Sequence, residues 1–299
     1  SMTYTSSQGQ YLPGFLPESR FLGQSRVNNV SAPGLPFMMG FSDRRFFDKA
    51  VENGWLTTDT LLNMPAIYNN RRDLSIRSVI EPFPGLKIDI NADRRFLENE
   101  SSYYTADYNG NFPDSTRNRV ISGNFSISVI SWGTAFEKIS KDNNYVSATF
   151  ENFKKNAVII SGRRAEARQE ADPGYDPDID PETGLPLTDG FSSGYGKTSR
   201  EVLIPAFYAA YTKSDPDKVD LSTFPSAFRM MPNWRITFDG FSKFEFVQKV
   251  FRSINITHQY RSVYQIGSYT TNLNYFVDGN GINNIRDLQR NFIQQYEIN

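Results

Sequence analysis

The sequence predicts a mainly β fold of antiparallel strands with short helical insertions, and three observations carry that expectation. Apolar and polar residues alternate with a period of two in several separate stretches. Turn-forming groups such as Glu81-Pro-Phe-Pro-Gly85 and Asp278-Gly-Asn-Gly281 punctuate them. The 299 residues include 24 Phe, 16 Tyr and 3 Trp, too much apolar surface for a disordered chain, although the mean hydropathy is only -0.51.

Residues 1–36 hold isolated aromatics (Tyr11, Phe15, Phe21) among Gly, Pro, Ser and Gln, with no period that defines a helix or strand, and read as an extended arm. From Asp43 to Asn53, Phe46, Phe47, Ala50 and Val51 recur at helical spacing before a cap at Asn53-Gly54. The period then becomes two. Leu74, Ile76 and Ser78 alternate with Asp73, Ser75 and Arg77; after the turn, Leu86, Ile88, Ile90 and Ala92 alternate with Lys87, Asp89, Asn91 and Asp93. This is a hairpin with one apolar and one wet face. Phe125, Ile127 and Val129 predict a third strand in the region 37–134.

Region 135–200 differs. Val146, Phe150, Phe153, Ala157, Ile160 and Arg164 recur at three and four residues, which predicts a helix over 145–170. The acidic, Pro- and Gly-rich stretch 171–196 reads as a solvent-exposed loop. Region 201–299 is expected to return to strands. Residues 234–240 are one; Phe244, Val247 and Phe251 mark a helical linker; the longest alternation follows, with Ile254, Ile256, His258, Tyr260, Ser262, Tyr264 and Ile266 on one face. At ~3.3 Å per residue this run spans roughly 43 Å, and a strand of ~9 to 11 residues tilted by ~45° already crosses a bilayer. Ile254, Ile256, Tyr260, Tyr264 and Ile266 are therefore expected to face lipid or a core. Gly267-Ser-Tyr269 is expected to break the run and Thr271–Phe276 to resume it.

Composition excludes much chemistry. With 32 Lys+Arg against 33 Asp+Glu, the net charge of -1 supplies no field that steers the chain to nucleic acid. Zero Cys removes disulfides and thiolate metal sites, and a single His removes two-His metal centres. The strongest apolar run, Val202–Tyr211, is half the ~20 residues of a spanning helix. Ser1 before Met2 reads as a tag-cleavage remnant, and the chain as an excised piece.

Three motifs invite a chemical reading. Gly190-Phe-Ser-Ser-Gly194 has the spacing of a nucleophile elbow, with Ser192 as nucleophile and His258 as base, yet the apolar strand that an elbow requires does not precede it. The overlapping Gly190–Thr198 has one residue too many for a phosphate-binding loop. Asp176, Asp178 and Asp180 alternate as the first ligands of a calcium loop do, but Pro181 and Leu187 stand where the turn Gly and bidentate Glu belong. They remain a weak calcium candidate. No catalytic constellation and no cofactor site is read; the expectation is that the chain is not an enzyme.

Several strings, in their order, resemble the SprA/Sov family: Gly54-Trp-Leu-Thr-Thr-Asp59, Glu81-Pro-Phe-Pro84, Val202-Leu-Ile-Pro-Ala-Phe-Tyr-Ala-Ala-Tyr-Thr212, Asn233-Trp-Arg-Ile-Thr-Phe-Asp-Gly240 and Tyr260-Arg-Ser-Val-Tyr-Gln-Ile-Gly-Ser-Tyr269. The resemblance runs from about residue 33 to the C-terminus. It implies a segment of a large outer-membrane β-barrel, the protein-conducting translocon of type IX secretion in Bacteroidetes, which exports adhesins in gliding species. It also implies partners: lipid, a PorV-type barrel protein, a plug protein, and secreted cargo with a C-terminal sorting domain. Two rival readings are a soluble cell-surface β-rich binding module, using the 171–196 loop, and a serine hydrolase.

Overall fold

The computed structural model describes residues 1–298 apart from 19, 21–22, 42–43, 115–116 and 142–143. Phe21 and Asp43, the expected start of the first helix, lie outside the described residues. In chain order the elements are β1 (Met2–Tyr11), β2 (Ser25–Val27), β3 (Val30–Ala32), α1 (Leu35–Met38), α2 (Arg45–Glu52), β4 (Ala66–Phe83), β5 (Leu86–Ser102), β6 (Val120–Ser128), α3 (Trp132–Ala135), α4 (Ala148–Ala171), α5 (Arg200–Thr212), β7 (Asn233–Phe238), α6 (Glu245–Gln248), β8 (Ile256–Tyr260), β9 (Val263–Thr271) and β10 (Tyr296–Ile298). The fold is mainly antiparallel sheet with a few helices, as the alternation predicts.

Eight strands form one sheet in the order β1-β4-β5-β6-β9-β10, with β7 beside β5 and β8 beside β7; β2 and β3 pair separately. The sheet is open, with β1 at one end and β10 at the other. Its branching follows from the length of β5. One edge of β5 pairs with β4 throughout, while the other is shared: Leu86–Asn91 pair with β7 and Arg94–Ser101 with β6. Strands β6 and β7 thus lie end to end in one row, and residues 129–232 are spliced between them. The next row repeats the division, β9 pairing with β6 and β8 with β7.

At the splice, side chains replace the missing ladder bonds. Ser128 Oγ accepts from the Asp93 N–H at 2.7 Å and donates to the Asp93 carbonyl at 3.0 Å. Asn233 Oδ1 accepts from the Ser262 N–H at 2.8 Å, and the Val129 N–H donates to the Ser262 carbonyl at 3.1 Å. Both Ser128 and Asn233 are buried, where an unpaired backbone group would be costly.

Helix α4 starts at Ser147, whose Oγ accepts from the Phe150 N–H at 3.0 Å. The Glu137 carboxylate accepts from the Ala148 and Thr149 N–H groups and from the Ser147 hydroxyl, which together hold it below the usual carboxylate range. Of its expected apolar face, Ala157 and Ile160 are buried against α5, whereas Val146 and Phe150 are exposed. Pro205 sits inside α5 and has no N–H to give the Glu201 carbonyl; Arg164 Nε from α4 donates to that oxygen at 3.4 Å.

Several expectations need correction. The N-terminal arm is not structureless: β1 pairs with β4 over ten residues, and its lack of apolar alternation reflects an edge strand exposed on both faces. Region 201–299 opens with a helix, α5, and the insertion is 129–232 rather than 135–200. The single strand expected over 254–266 is broken at Arg261-Ser262, where the chain passes from β7 to β6 as its partner. Gly267-Ser268 does not end β9. It is a bulge opposite Asn124, and pairing resumes at Tyr269 with Gly123, where an added Cβ would strike the Leu97 carbonyl. Beyond Thr271 the expected strand is instead a turn, closed by the Tyr275 N–H on the Asn272 carbonyl.

Candidate functional site

The register assigns every strand residue to one of two faces. On the first, three rows cross β4, β5, β7 and β8: Phe83, Leu86, Phe238 and Ile256; Ile80, Ile88, Ile236 and His258; Ser78, Ile90, Trp234 and Tyr260. A fourth joins Met2 of β1 to Ile76 and Ala92. On the opposite face the same strands carry Val79, Asp89, Arg235 and Gln259, then Arg77, Asn91 and Asn233, then Ser75 and Asp93. Both signs of charge alternate there: Lys87 faces Asp89 at 3.5 Å and Arg71 faces Asp73 at 2.7 Å.

The apolar face is covered in two zones and bare in a third. Over Ala66, Tyr68 and Tyr104, α2 places Phe46, Phe47 and Ala50, with Trp55 beside them. Below this cluster the buried Glu100 carboxylate accepts from Arg44 at 2.6 Å and from Arg119 at 2.8 Å. Over Phe96, Phe125, Ile127 and Ile266, α4, α5 and residues 221–224 form the main core. Arg163 ties the covering loop to α4 by donating to the Pro216 and Val219 carbonyls at 2.7 and 2.9 Å. Phe224 then rests on Phe96 and Phe125, both with ring centroids 5.6 Å away.

No helix covers the third zone among the described residues. Ile80, Phe83 and Ile256 are 45, 52 and 50% exposed there, against 1% for Phe125 and 0% for Ile127 on the same face. Aromatic side chains gather at both of its margins. Trp132 of α3 lies 6.0 Å from Trp234, 5.6 Å from His258 and 5.4 Å from Tyr260. At the hairpin end Phe83, Phe238 and Phe241 follow one another at 6.3 and 5.0 Å. The bare stretch of β4 from Leu74 to Phe83 is ~33 Å long, or roughly 23 Å across at a ~45° tilt. A contiguous apolar surface rimmed by aromatic and polar groups marks a membrane or protein interaction site.

The expected face of the long alternation divides accordingly. Tyr260 and Ile266 are buried, Ile254 and Tyr264 half-buried, and Ile256 is exposed. Burial pushes the Tyr264 hydroxyl up, and that hydroxyl donates to the Thr223 carbonyl at 3.2 Å. The Tyr260 hydroxyl accepts from the Ser131 N–H at 2.6 Å and so ties the start of the insertion to β8.

The loop 171–196 is not the free, solvated segment its composition implies. Tyr175, Asp180, Ser193 and Tyr195 are buried, and residues 286–292 pack over them. Asp180 lies below the usual carboxylate range because the Glu182 N–H donates to it, with the Arg290 guanidinium beside it. Arg286 donates to Ser193 Oγ at 3.1 Å, and Arg168 and Arg286 flank the Phe292 ring at 3.7 and 4.3 Å from its centroid. The cleft beside Ser192 has a volume of 210 Å³, below the ~300 Å³ of the smallest usual ligand sites, and no histidine lines it. His258 instead lies on β8 against Trp132, so the hydrolase pairing lacks its geometry.

Asp176, Asp178 and Asp180 do not converge. Asp176 accepts from the Asp178 N–H at 2.9 Å in a local turn, and Asp180 turns inward to Arg290. Among the described residues no three acidic or His side chains gather where a metal ion could sit. Sequence reasoning missed the tail residues Arg286, Arg290 and Phe292, which lie a hundred positions from the loop they clamp and share no period with it. No helix among the described residues is long and apolar enough to cross a membrane. No family model and no curated protein matches the chain.

Proposed function

We propose that this chain is a wall segment of a protein-conducting outer-membrane channel of the type IX secretion kind, with its bare apolar zone toward lipid and its polar face toward a wet lumen. One observation carries the reading: across β4, β5, β7 and β8, an apolar face that stands bare around Ile80, Phe83 and Ile256 is backed by a face of mixed charges, Asn, Ser and Thr. Strands spanning a bilayer need that division, because each residue faces hydrocarbon or water in turn. The alternating charge signs suit passage of unlike cargo without retention, since no extended field of one sign would hold it. The resemblance of the quoted strings to the SprA/Sov family points the same way, and through it to a PorV-type barrel, a plug protein and sorting-domain cargo as partners. The function is passage rather than turnover.

Sedimentation velocity with and without detergent, with far-UV circular dichroism, tests this. Self-association in buffer that detergent resolves into a β-rich species is the expected result. A compact, β-rich monomer in plain buffer would overturn it and favour the surface-module reading.

A further inference from the structure

The helical insertion stands on the apolar face of the sheet, the same side as the bare zone, and one end of it lies at the margin of that zone. Trp132 of α3 packs on Trp234 and Tyr260 there. The Thr134 hydroxyl, also of α3, donates to the Tyr211 carbonyl at 2.9 Å; the Tyr211 ring stacks on Phe207 at 4.2 Å, and Phe207 meets Phe153 of α4 at 6.3 Å. The start of α4 and the end of α5 are thereby held at the margin. The far end of α4 lies away from it, where Arg168 rests on Phe292.

The near end is apolar where water would favour polar residues. Between α3 and α4, Phe136 is 74% and Tyr145 69% exposed, and Ile139 is exposed as well; Phe150 and Phe207 extend the patch along the helices. Lys138, Lys141, Lys154 and Lys155 are exposed among them, and Lys213 lies against Gly133 at the end of α5. Lysine outnumbers acid here. Glu137 is taken up by the N–H groups that open α4, Glu151 pairs with Lys154 at 2.7 Å, and Asp142 lies outside the described residues.

We propose that this end of the insertion is a head-group foot: its apolar side chains enter the membrane interface beside the wall, and its lysines bind the phosphates of anionic lipids. The inference rests on the channel reading and deepens it. If the bare zone meets hydrocarbon, a module standing on the same face at its margin meets the next layer, the roughly 5–8 Å of head groups. Exposed aromatic and aliphatic side chains interleaved with lysine suit that layer, since the first partition into it and the second are drawn to anionic lipid. Helices α4 and α5 stand over β6 and β9, inside the sheet, so strands added at β1 or β10 extend the wall sideways without covering the foot. The foot would fix how deep the wall sits.

The absence of cysteine allows single labels. An environment-sensitive fluorophore at Phe136→Cys or Ile139→Cys reports the foot, at Ile80→Cys or Ile256→Cys the bare zone, and at Glu170→Cys the far end of α4. The whole chain is reconstituted in vesicles of phosphatidylcholine, alone or mixed equally with phosphatidylglycerol, carrying nitroxide quenchers on the head group or on the acyl tail. Head-group quenching should exceed tail quenching at least ~2-fold at the foot, the order should reverse in the bare zone, and Glu170→Cys should be quenched by neither. Replacing Lys138, Lys141 and Lys155 together by Gln should lower foot quenching in the anionic vesicles to its value in the neutral ones, with the bare-zone labels unchanged. Foot labels that stay unquenched while the bare-zone labels are tail-quenched would overturn the foot and leave the channel reading standing. Foot labels quenched most by tails, or quenched equally in both vesicles and indifferent to the lysine changes, would also overturn it. Bare-zone labels quenched by neither probe would instead overturn the channel reading, and the foot with it.

Discussion

Phe125 and Ile236 stand on the same face of one sheet, in strands that form a single row, yet one is fully buried and the other is half-open. Their local sequences do not differ in kind: each is an apolar residue between polar neighbours. The difference is made by residues 129–232, which leave the row at Ser128, fold α4 and α5 over β6 and β9, reach β7 and β8 only through Trp132 at the Trp234–Tyr260 end, and return at Asn233. Alternation specifies that a face is apolar. It does not specify what lies against it.

Single substitutions in the two zones would break or sharpen the contrast. Phe125→Ala or Ile127→Ala should cost ~3–5 kcal/mol of unfolding free energy, since each leaves a cavity under α5, whereas Ile88→Ala on the bare zone should cost below ~1 kcal/mol. Urea titration in buffer measures both. Ile236→Lys should reverse the ranking: within ~0.5 kcal/mol of wild type in buffer, but weakened by ~2–4 kcal/mol in bilayers if the zone faces lipid, as read from unfolding in vesicles. Equal effects in the two solvents would count against the lipid assignment. Ser128→Ala removes both bonds to the Asp93 backbone at the splice and should cost about 2 kcal/mol, with the loss of hydrogen-exchange protection centred on Asp93.

The smallest effect is a pH slope in the covered region. Burial, reinforced by the neighbouring Glu100 carboxylate, holds Glu98 above the usual carboxylate range. The folded state then binds the proton more tightly than the unfolded one. Its contribution is fully present below the ordinary carboxylate value and is lost as pH rises from there to the raised folded value. Glu98→Gln should flatten the dependence of stability on pH in that window, measured by denaturant titration at stepped pH. An unchanged slope would show that another group sets it.

Much of the sheet was legible because strand periodicity is a local property. The hairpin of β4 and β5, strand β6, helix α4 and the Asn53-Gly54 cap of α2 follow from spacing alone, since each buries a face its own residues define. Strand β1 was not legible, because Thr, Ser and Gln lie on both of its faces and its stability comes from the β4 backbone. The site was half legible: the sequence marked Ile256, Tyr260 and Ile266 as one apolar face, but gave no sign that Ile256 would stand bare and Ile266 be buried.

The sequence by itself determined that this chain is a mainly β protein with apolar and polar sheet faces, because side-chain alternation and turn chemistry act over a few residues. Only the tertiary structure decided which parts of the apolar face are covered. It also decided that the acidic loop is clamped by Arg286 and Arg290, and that one long alternation becomes two strands. Those outcomes depend on contacts between segments a hundred residues apart, fixed by how the inserted helices fill space over the sheet.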